Sequence, residues 1–270
     1  MARTTKKKQQ TTAAQVPDPQ WLNLLNSEEP IEGVPGWGRW LVIEYKPTSL
    51  FSLKTSQATS SVGVSLVIPT PYAIKMAFVD AAFRAGVLED DCRRFLESFV
   101  RVDVRIAPAR SAVVTNTFLK VRQESREGDP LRPYIPSIAY REVVYLEGTW
   151  LWAFDLAVCD PSAARQIVRA APHVAYVGKR GSFIQFRKAF RLTELDPRFT
   201  QPLRGESPQT FPTRVHVRQL DDFGPEATLD ALSPFTSAKP KRDKHRKFVE
   251  TVIPAGLVNT GPGFSEYRAD

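Results

Sequence analysis

Apolar residues recur with a period of two in several short stretches of the chain, which is the pattern of half-buried strands. The clearest stretch is 100–106 (VRVDVRI), where valine and isoleucine alternate with Arg101, Asp103 and Arg105. This alternation predicts a strand of an antiparallel sheet with one solvated face. Further strands are predicted over 39–46, 112–121, 138–146, 150–158, 174–177, 183–190 and 214–220.

Helical spacing with start and stop signals appears between these strands. Thr70 is a favourable N-cap and Pro71 suits the first helical position, while Gly86 supplies a left-handed stop. The same cap-plus-proline logic predicts a helix that begins at Asp160-Pro161 and ends before Pro172. A shorter helix is predicted over 89–99, with Cys92 facing inward as a small core residue.

The order of these elements predicts an α+β fold. Strands that each carry a polar face indicate an open antiparallel sheet with helices on one side. Residues 122–137 are charged and rich in proline, so they predict a loop or a projection. Residues 147–149 (Glu-Gly-Thr) predict the turn of a hairpin.

The positive charge of the chain is concentrated in two segments. The formal net charge is +8; residues 1–10 carry +4 and residues 239–247 carry +5, so the remaining residues sum to −1. Both segments lack an apolar face, so flexible tails are predicted at 1–20 and 232–247. A solvated charge run is the favoured interpretation, and an arm that binds polyphosphate is the alternative.

Outside the tails, basic residues are densest near position 180. Residues 179–193 contain five cations and no acid. Overall neutrality with one dense basic segment predicts a patch for a specific anionic partner.

The sequence offers no support for several common chemistries. Cys92 and Cys159 form no CxxC pair, which argues against a disulfide scaffold or a zinc ribbon and suits a reducing cytoplasm. The three histidines, His173, His216 and His245, are scattered, and no acids follow metal-ligand spacing. Glycine spacing fits neither a P-loop nor a dinucleotide fingerprint. We therefore expect no metal, no cofactor and, without a long apolar run, no membrane partner.

Three segments together resemble the CRISPR-associated Cas-five family of the RAMP superfamily. In SLVIPTPYAIKMAFVDAAF (65–83), an apolar strand and a Pro-x-Pro turn precede an alanine-rich helix. The segment YKPTSLFSLKTS (45–56) is similar to the opening of that family. VAYVGKRGSF (174–183) is similar to its late element of tyrosine, glycine and basic residues.

The resemblance implies a ferredoxin-like (RAMP/RRM-type) fold and a role in RNA-guided defence. Family members are subunits of a type I CRISPR effector complex (Cascade), where they bind the 5′ handle of the crRNA and cap the backbone filament. The backbone subunit and the large subunit are the implied protein partners. The basic tails are an additional candidate contact with target DNA.

The implied domain organisation follows from these features. The divisions are a ferredoxin-like domain at 38–195, an inserted hairpin or thumb at 108–149, a C-terminal extension with a strand at 196–231 and a final segment at 248–270.

Residues expected to bind RNA are cations for its phosphates and tyrosines for its bases. The candidates are Tyr45, Lys46, Lys54, Lys75, Arg101, Arg105, Arg122, Arg126, Arg132, Tyr134, Lys179, Arg180, Arg187 and Lys188. Phe51 is a further candidate for base stacking.

Two other functions remain open. One branch of the family cleaves precursor crRNA without a metal, using tyrosine, lysine and histidine, but no histidine occurs between residues 1 and 172. A non-catalytic binder is therefore expected, and the alternative is a metal-independent endoribonuclease that uses His173 or His216. The third interpretation is an adaptor whose tails bind DNA.

Overall fold

The structure is a computed structural model and describes residues 39–55, 62–124, 131, 133–203, 210–233 and 239–270. The strands in these ranges are β1 (Trp40–Pro47), β2 (Val62–Gly63), β3 (Val104–Ala107), β4 (Ser111–Glu124), β5 (Tyr134–Glu147), β6 (Trp150–Asp155), β7 (Ile184–Leu192), β8 (Gln201–Pro202), β9 (His216–Phe223), β10 (Arg246–Ile253), β11 (Gly256–Gly261) and β12 (Phe264–Arg268). The α-helices are α1 (Pro71–Arg84), α2 (Glu89–Phe99), α3 (Pro161–Ala170) and α4 (Leu229–Leu232). None of them is long and apolar enough to cross a membrane. The predicted tail at 1–20 lies outside the described residues.

The predicted helix signals are confirmed. Thr70 caps α1 by accepting a hydrogen bond from the Ala73 N–H, and Gly86 follows the helix with a φ of +82°. Asp160 caps α3 in the same way through the Ser162 N–H. Local side-chain chemistry therefore determines where both helices begin.

A four-stranded antiparallel sheet forms the centre of the molecule. Its strand order is β3-β6-β1-β7, so β1 pairs with β6 on one side and with β7 on the other. The helices cover one face of this sheet, where Phe78 of α1 packs against Trp152 and Phe154 of β6 at ring-centroid distances of 6.4 and 5.1 Å. The predicted α+β fold with antiparallel sheets and helices on one face is confirmed.

The opposite face of this sheet is partly covered by the chain that follows β7. Val42, Ala153 and Phe199 form a small second core there. Thr200 holds this crossing segment to β3, because its N–H donates to the Ile106 carbonyl and its hydroxyl accepts from the Ile106 N–H, at 2.8 and 3.0 Å.

The strand predicted over 100–106 is wrong at its beginning. Helix α2 continues to Phe99, and Val100 still has helical backbone angles, so the strand β3 starts only at Val104. The Val102 N–H donates to the Phe99 carbonyl at 3.2 Å, which closes a turn. Val102 and Val104 are buried as expected and Val100 is partly buried, but the end of a helix and a turn also satisfy that pattern.

Strands β4 and β5 form a hairpin that is longer than predicted. Each strand has 14 residues, and their pairing extends from Ser111↔Glu147 to Glu124↔Tyr134. Much of the predicted loop at 122–137 therefore belongs to the strands, and the hairpin falls within the predicted insertion at 108–149. The strands β12 and β11 extend the sheet on the β4 side, and the short β2 pairs in parallel with β5.

The structure corrects the prediction of a flexible tail at 232–247 for the residues of that segment that it describes. Residues 239–247 form a turn that leads into β10, which pairs with β9 and β8 in a three-stranded sheet. Acidic partners explain why this basic segment is folded. Arg246 pairs with Asp221 at 2.6 Å, and Lys244 pairs with Glu226 at 3.2 Å. Lys244, Arg246 and Lys247, which pairs with Asp222, are therefore tied to the folded body.

A buried ion pair connects α1 to the C-terminal sheet. Lys75 is fully buried, and its ammonium lies 2.8 Å from the Asp222 carboxylate on β9. Burial lowers the pKa of Lys75, and the charge of Asp222 opposes that effect. Asp222 also pairs with Lys247 of β10, at 3.5 Å.

We expect Asp222→Asn to be far more damaging than Lys75→Met. The first change leaves a buried ammonium without a counter-charge, which lowers the free energy of unfolding by about 3–5 kcal/mol. The second removes the charge, fills a similar volume and leaves Asp222 paired with Lys247, so a change of less than about 1.5 kcal/mol is expected. Urea unfolding of the two variants measures the difference, and equal losses would contradict the assigned role of the pair.

Candidate nucleic-acid interface

The loop after β1 is held against the turn that precedes β7. The Thr48 N–H donates to the Phe183 carbonyl at 3.0 Å, and the Ser49 hydroxyl bonds both the Gly181 carbonyl and the Phe183 N–H at 2.7 and 2.6 Å. The Lys179 N–H donates to the Ser52 carbonyl at 3.3 Å. These bonds fix two segments that are remote in sequence as one surface.

The turn 178–181 requires its two glycines. Gly178 and Gly181 have φ values of +76° and +106°, which side chains of L-residues rarely adopt. The Ser182 N–H donates to the Lys179 carbonyl at 3.0 Å, so Arg180 and Gly181 occupy the two central positions of a tight turn. At Gly178 a Cβ atom would meet Leu53 at 3.3 Å, so the loop also packs closely there.

The same loop contacts strand β5. Phe51 and Val144 exchange two backbone hydrogen bonds of 2.9 and 2.8 Å, and the Ser52 hydroxyl donates to the Glu142 carbonyl at 3.1 Å. We call the meeting point of segments 48–55, 140–144 and 178–183 the junction. It brings three parts of the chain together at one end of β1.

Cations are concentrated at the junction. Burial lowers the pKa of Lys179, and the nearby positive charge of Arg141 on β5 lowers it further. No carboxylate in the described parts of the chain forms an ion pair with any of the five cations at or next to the junction. These junction cations are Lys46, Lys54, Arg141, Lys179 and Arg180. Such an arrangement favours an anionic ligand.

A groove runs from the junction along α1. Its volume is about 710 Å³, and Lys54 and Gly178 line the end near the junction. Tyr72, Phe83 and Tyr176 provide aromatic surface along it. A space of this size with aromatic walls and cations at one end can accept planar rings that carry a phosphate.

The β4–β5 hairpin carries an apolar strip beyond the core. At its base, Val114 and Val144 are buried, but further along the same face Phe118 and Ile138 are 72% and 68% exposed. Phe118 contacts Tyr140 across the strands at 5.0 Å. The strip has the exposed apolar character of a surface that contacts a partner.

Two of the predicted RNA-binding residues are inside the protein. Tyr45 is fully buried and its hydroxyl donates to the Ala171 carbonyl at 2.7 Å. Lys75 is fully buried beside Asp222. Tyr45 points into the core under the helices and Lys75 faces β9, so neither presents a polar group to a ligand at the surface. Phe51 is buried as well, against Trp150.

The other predicted residues fall into separate groups. Lys46, Lys54, Lys179 and Arg180 lie at the junction. Arg101 and Arg105 line a different cleft, and Arg122 and Tyr134 are exposed on the hairpin. Arg187 and Lys188 lie further along β7, where Lys188 is 3.6 Å from Glu44. Arg126 and Arg132 are outside the described residues.

Sequence reasoning missed Arg141. It sits in a strand with no local signal of function, and only the contact between the loop and β5 brings it near Lys179. The two glycines that flank Lys179 and Arg180 indicate a constrained turn, but no signal in the sequence places β5 beside it.

The two histidines of the nuclease alternative lie on different elements. His216, at the start of β9, is part-buried, its Nδ1 bonds to the Ala255 carbonyl and its ring contacts Tyr267 at 5.1 Å. Burial lowers its pKa, and the charge of Arg218 adds to that effect. His173 follows α3 and is exposed.

Comparison with known proteins gives structural neighbours alone, since no family model and no curated protein matches the chain. The chain is similar to a CRISPR protein from Archaeoglobus fulgidus, with 9% identity and a TM-score of 0.40 over 86% of this chain and 92% of that one. It is similar to a chain of the type III-B Cmr-beta structure bound to cognate target RNA, with 11% identity and a TM-score of 0.40 over 57% of this chain and 60% of that one. A chain of a CRISPR RNA-guided surveillance complex is also similar, with 13% identity and a TM-score of 0.43 over 79% of this chain and 89% of that one. Similarity at these levels establishes no family for the chain.

We expect Gly181→Ala to destabilise the protein by about 1–2 kcal/mol, because the left-handed conformation is strained for an L-residue. No atom lies within 4 Å of the new Cβ, so backbone strain is the whole effect. Urea unfolding gives the measurement. Arg180→Ala, in the same turn, is the control and should leave stability unchanged.

We expect the stability of the protein to fall in acid partly through His216. Because its folded pKa lies below the ordinary value of 6.5, the unfolded chain binds more protons at pH values just under 6.5. The free energy of unfolding therefore decreases as the pH drops through this window. In His216→Asn, whose amide can donate to the same carbonyl, this part of the pH dependence should vanish, and a parallel pH profile for the two proteins would refute it.

Proposed function

We propose that this chain is a non-catalytic RNA-binding subunit of a type I CRISPR Cascade complex, holding the 5′ handle of the crRNA at the junction. The observation that carries the proposal is the group of five cations at the junction, which have no carboxylate partner within the described ranges. Phosphates of a single strand are suitable counter-ions for such a group.

The geometry of the junction suits a single strand better than a duplex. Lys179 and Arg180 stand on a rigid glycine turn, and the α1 groove with Tyr72 and Tyr176 opens next to Lys54. A strand whose phosphates bind the turn can place a splayed base on the aromatic wall of the groove. A duplex keeps its bases stacked inside, so it leaves the groove unused.

The fold supports the same proposal. The four-stranded sheet has the order β7-β1-β6-β3, with helices in the connections after β1 and after β6. This arrangement of strand, helix, two strands, helix and strand is the one expected for a ferredoxin-like domain of the RAMP type. The β4–β5 hairpin is inserted between β3 and β6, where it can serve as the thumb that reaches over the RNA.

The proposed partners follow from the exposed surfaces and the sequence resemblance. The hairpin strip around Phe118 and Ile138 is a candidate contact for the adjoining backbone subunit or the large subunit of the complex. A cap of the backbone filament in the cytoplasm is the corresponding place in the assembly. A contact with target DNA remains proposed for the tail at 1–20, since the cations of residues 244–247 pair with acids of the folded body.

The non-catalytic role is proposed because one histidine of the alternative has structural surroundings and neither lies in the junction segments. His216 is engaged by the Ala255 carbonyl and packed on Tyr267. A metal-independent endoribonuclease would need a histidine near the bound strand, and the junction segments contain none. Cleavage of repeat RNA by the purified protein in EDTA would contradict this part of the proposal.

The RNA-binding prediction is tested by charge reversal on the turn. We expect Lys179→Glu/Arg180→Glu to weaken binding of a labelled single-stranded RNA that carries the repeat-derived handle. The slope of log affinity against log salt should fall by about 0.7 for each lost phosphate contact. Arg165→Glu/Arg169→Glu, a matched pair of basic positions on α3, is the control and should retain most of the affinity.

Three measurements decide the outcome. Urea unfolding confirms that the double variant is folded, and filter binding at several salt concentrations gives the slope. Extraction and sequencing of RNA that co-purifies with the full complex identifies the bound strand. An unchanged slope in the folded double variant would reject the junction as the RNA site.

A further inference from the structure

A second basic cleft lies away from the junction, between the central sheet and the C-terminal sheet. Its volume is about 350 Å³. Arg101 and Arg105, which follow α2, form one wall, and Lys247 and Asp222 of the C-terminal sheet form the other. Residues of both sheets are therefore needed to form the cleft.

Positive charge exceeds negative charge in this cleft. The Asp222 carboxylate serves two ammonium groups, with Lys75 at 2.8 Å and Lys247 at 3.5 Å. Asp103 is the second acid, and it is paired with Arg105 at 2.6 Å. Arg101 forms no ion pair with any carboxylate in the part of the chain that the structure describes. Three cations and two carboxylates therefore line the cleft, and the buried Lys75 adds a further positive charge behind Asp222.

Arg105 and Lys75 are held in place from the protein side. Arg105 also donates to the Thr200 carbonyl at 3.2 Å, and Lys75 lies behind Asp222 with no exposed surface. Lys247 is 44% exposed at the mouth. Positioned donors around a small cleft with two excess positive charges favour a compact dianion over a long chain of single charges.

We propose that this cleft binds a phosphate monoester, whose charge near neutral pH is about −1.5 to −2. Arg101 and Lys247 are its direct donors, and Arg105 supports it from the floor of the cleft. The phosphate belongs either to the end of a nucleic-acid strand or to a small free molecule. Because no residue is shared with the junction, the inference does not rest on the proposed function.

Calorimetric titration tests the proposal in the Lys179→Glu/Arg180→Glu background, where the junction is disabled. The probes are inorganic phosphate, a 5′-phosphorylated RNA trinucleotide and the same trinucleotide with a 5′ hydroxyl. We expect the two phosphate-bearing probes to bind and the hydroxyl form to bind at least about tenfold more weakly. Binding of inorganic phosphate without the trinucleotide also supports the site and assigns it to a small molecule.

Three variants give effects of opposite sign. Arg101→Gln and Lys247→Gln should each weaken phosphate binding about tenfold, because each removes a charged donor. Asp103→Asn should strengthen it several-fold, since it frees Arg105 and removes a negative charge. Arg94→Gln, which removes an exposed cation of α2 paired with Asp91, should change nothing.

Loss of folding cannot imitate this pattern, because a destabilised protein does not bind more tightly. No binding of any probe would overturn the proposal. Equal binding of the hydroxyl and phosphorylated trinucleotides, or the same affinity in Arg101→Gln and Lys247→Gln as in Arg94→Gln, would overturn it as well.

Discussion

The Asp222 carboxylate connects helix α1, which packs on the central sheet, to the C-terminal sheet. Asp222 meets Lys75 from α1 and Lys247 from β10, so the helices of the central sheet and the C-terminal sheet share a single buried counter-charge. Lys75 is fully buried. Helix α1 therefore cannot separate from the C-terminal sheet without leaving the Lys75 ammonium without its counter-charge. The relative position of α1, the end of α2 and β9 depends on this interaction, and so does the shape of the cleft between them.

The two faces and the two ends of the central sheet have different surroundings. One face holds the aromatic core under the helices, and the other is partly closed by Phe199. At one end of β1 the loop 48–55 meets the turn 178–183, while β3 borders the second cleft near the beginning of the C-terminal sheet. Cations thus gather in two places that share no side chains.

Sequence patterns predicted the parts of the fold that local chemistry decides. Thr70 with Pro71 and Asp160 with Pro161 mark helix beginnings because capping needs neighbours in sequence alone. Of the C-terminal sheet only the strand at 214–220 was predicted, and β10 was missed because the cations of 239–247 resemble a solvated tail until Asp221 and Asp222 are brought beside them. The candidate site follows the same rule: Lys179 and Arg180 were predicted from charge density, whereas the burial of Tyr45 and Lys75 and the approach of Arg141 depend on tertiary contacts.

The hydrogen bond between Ser49 and Gly181 spans 132 positions, and this has a consequence for a growing polypeptide. At a synthesis rate of about 5–20 residues per second, the first partner waits for roughly 7–26 s before the second is made. During that interval the serine-rich loop has no turn to fold against, so prematurely terminated products lack the surface altogether. Translation itself therefore restricts formation of this surface to polypeptides that have been completed through Gly181.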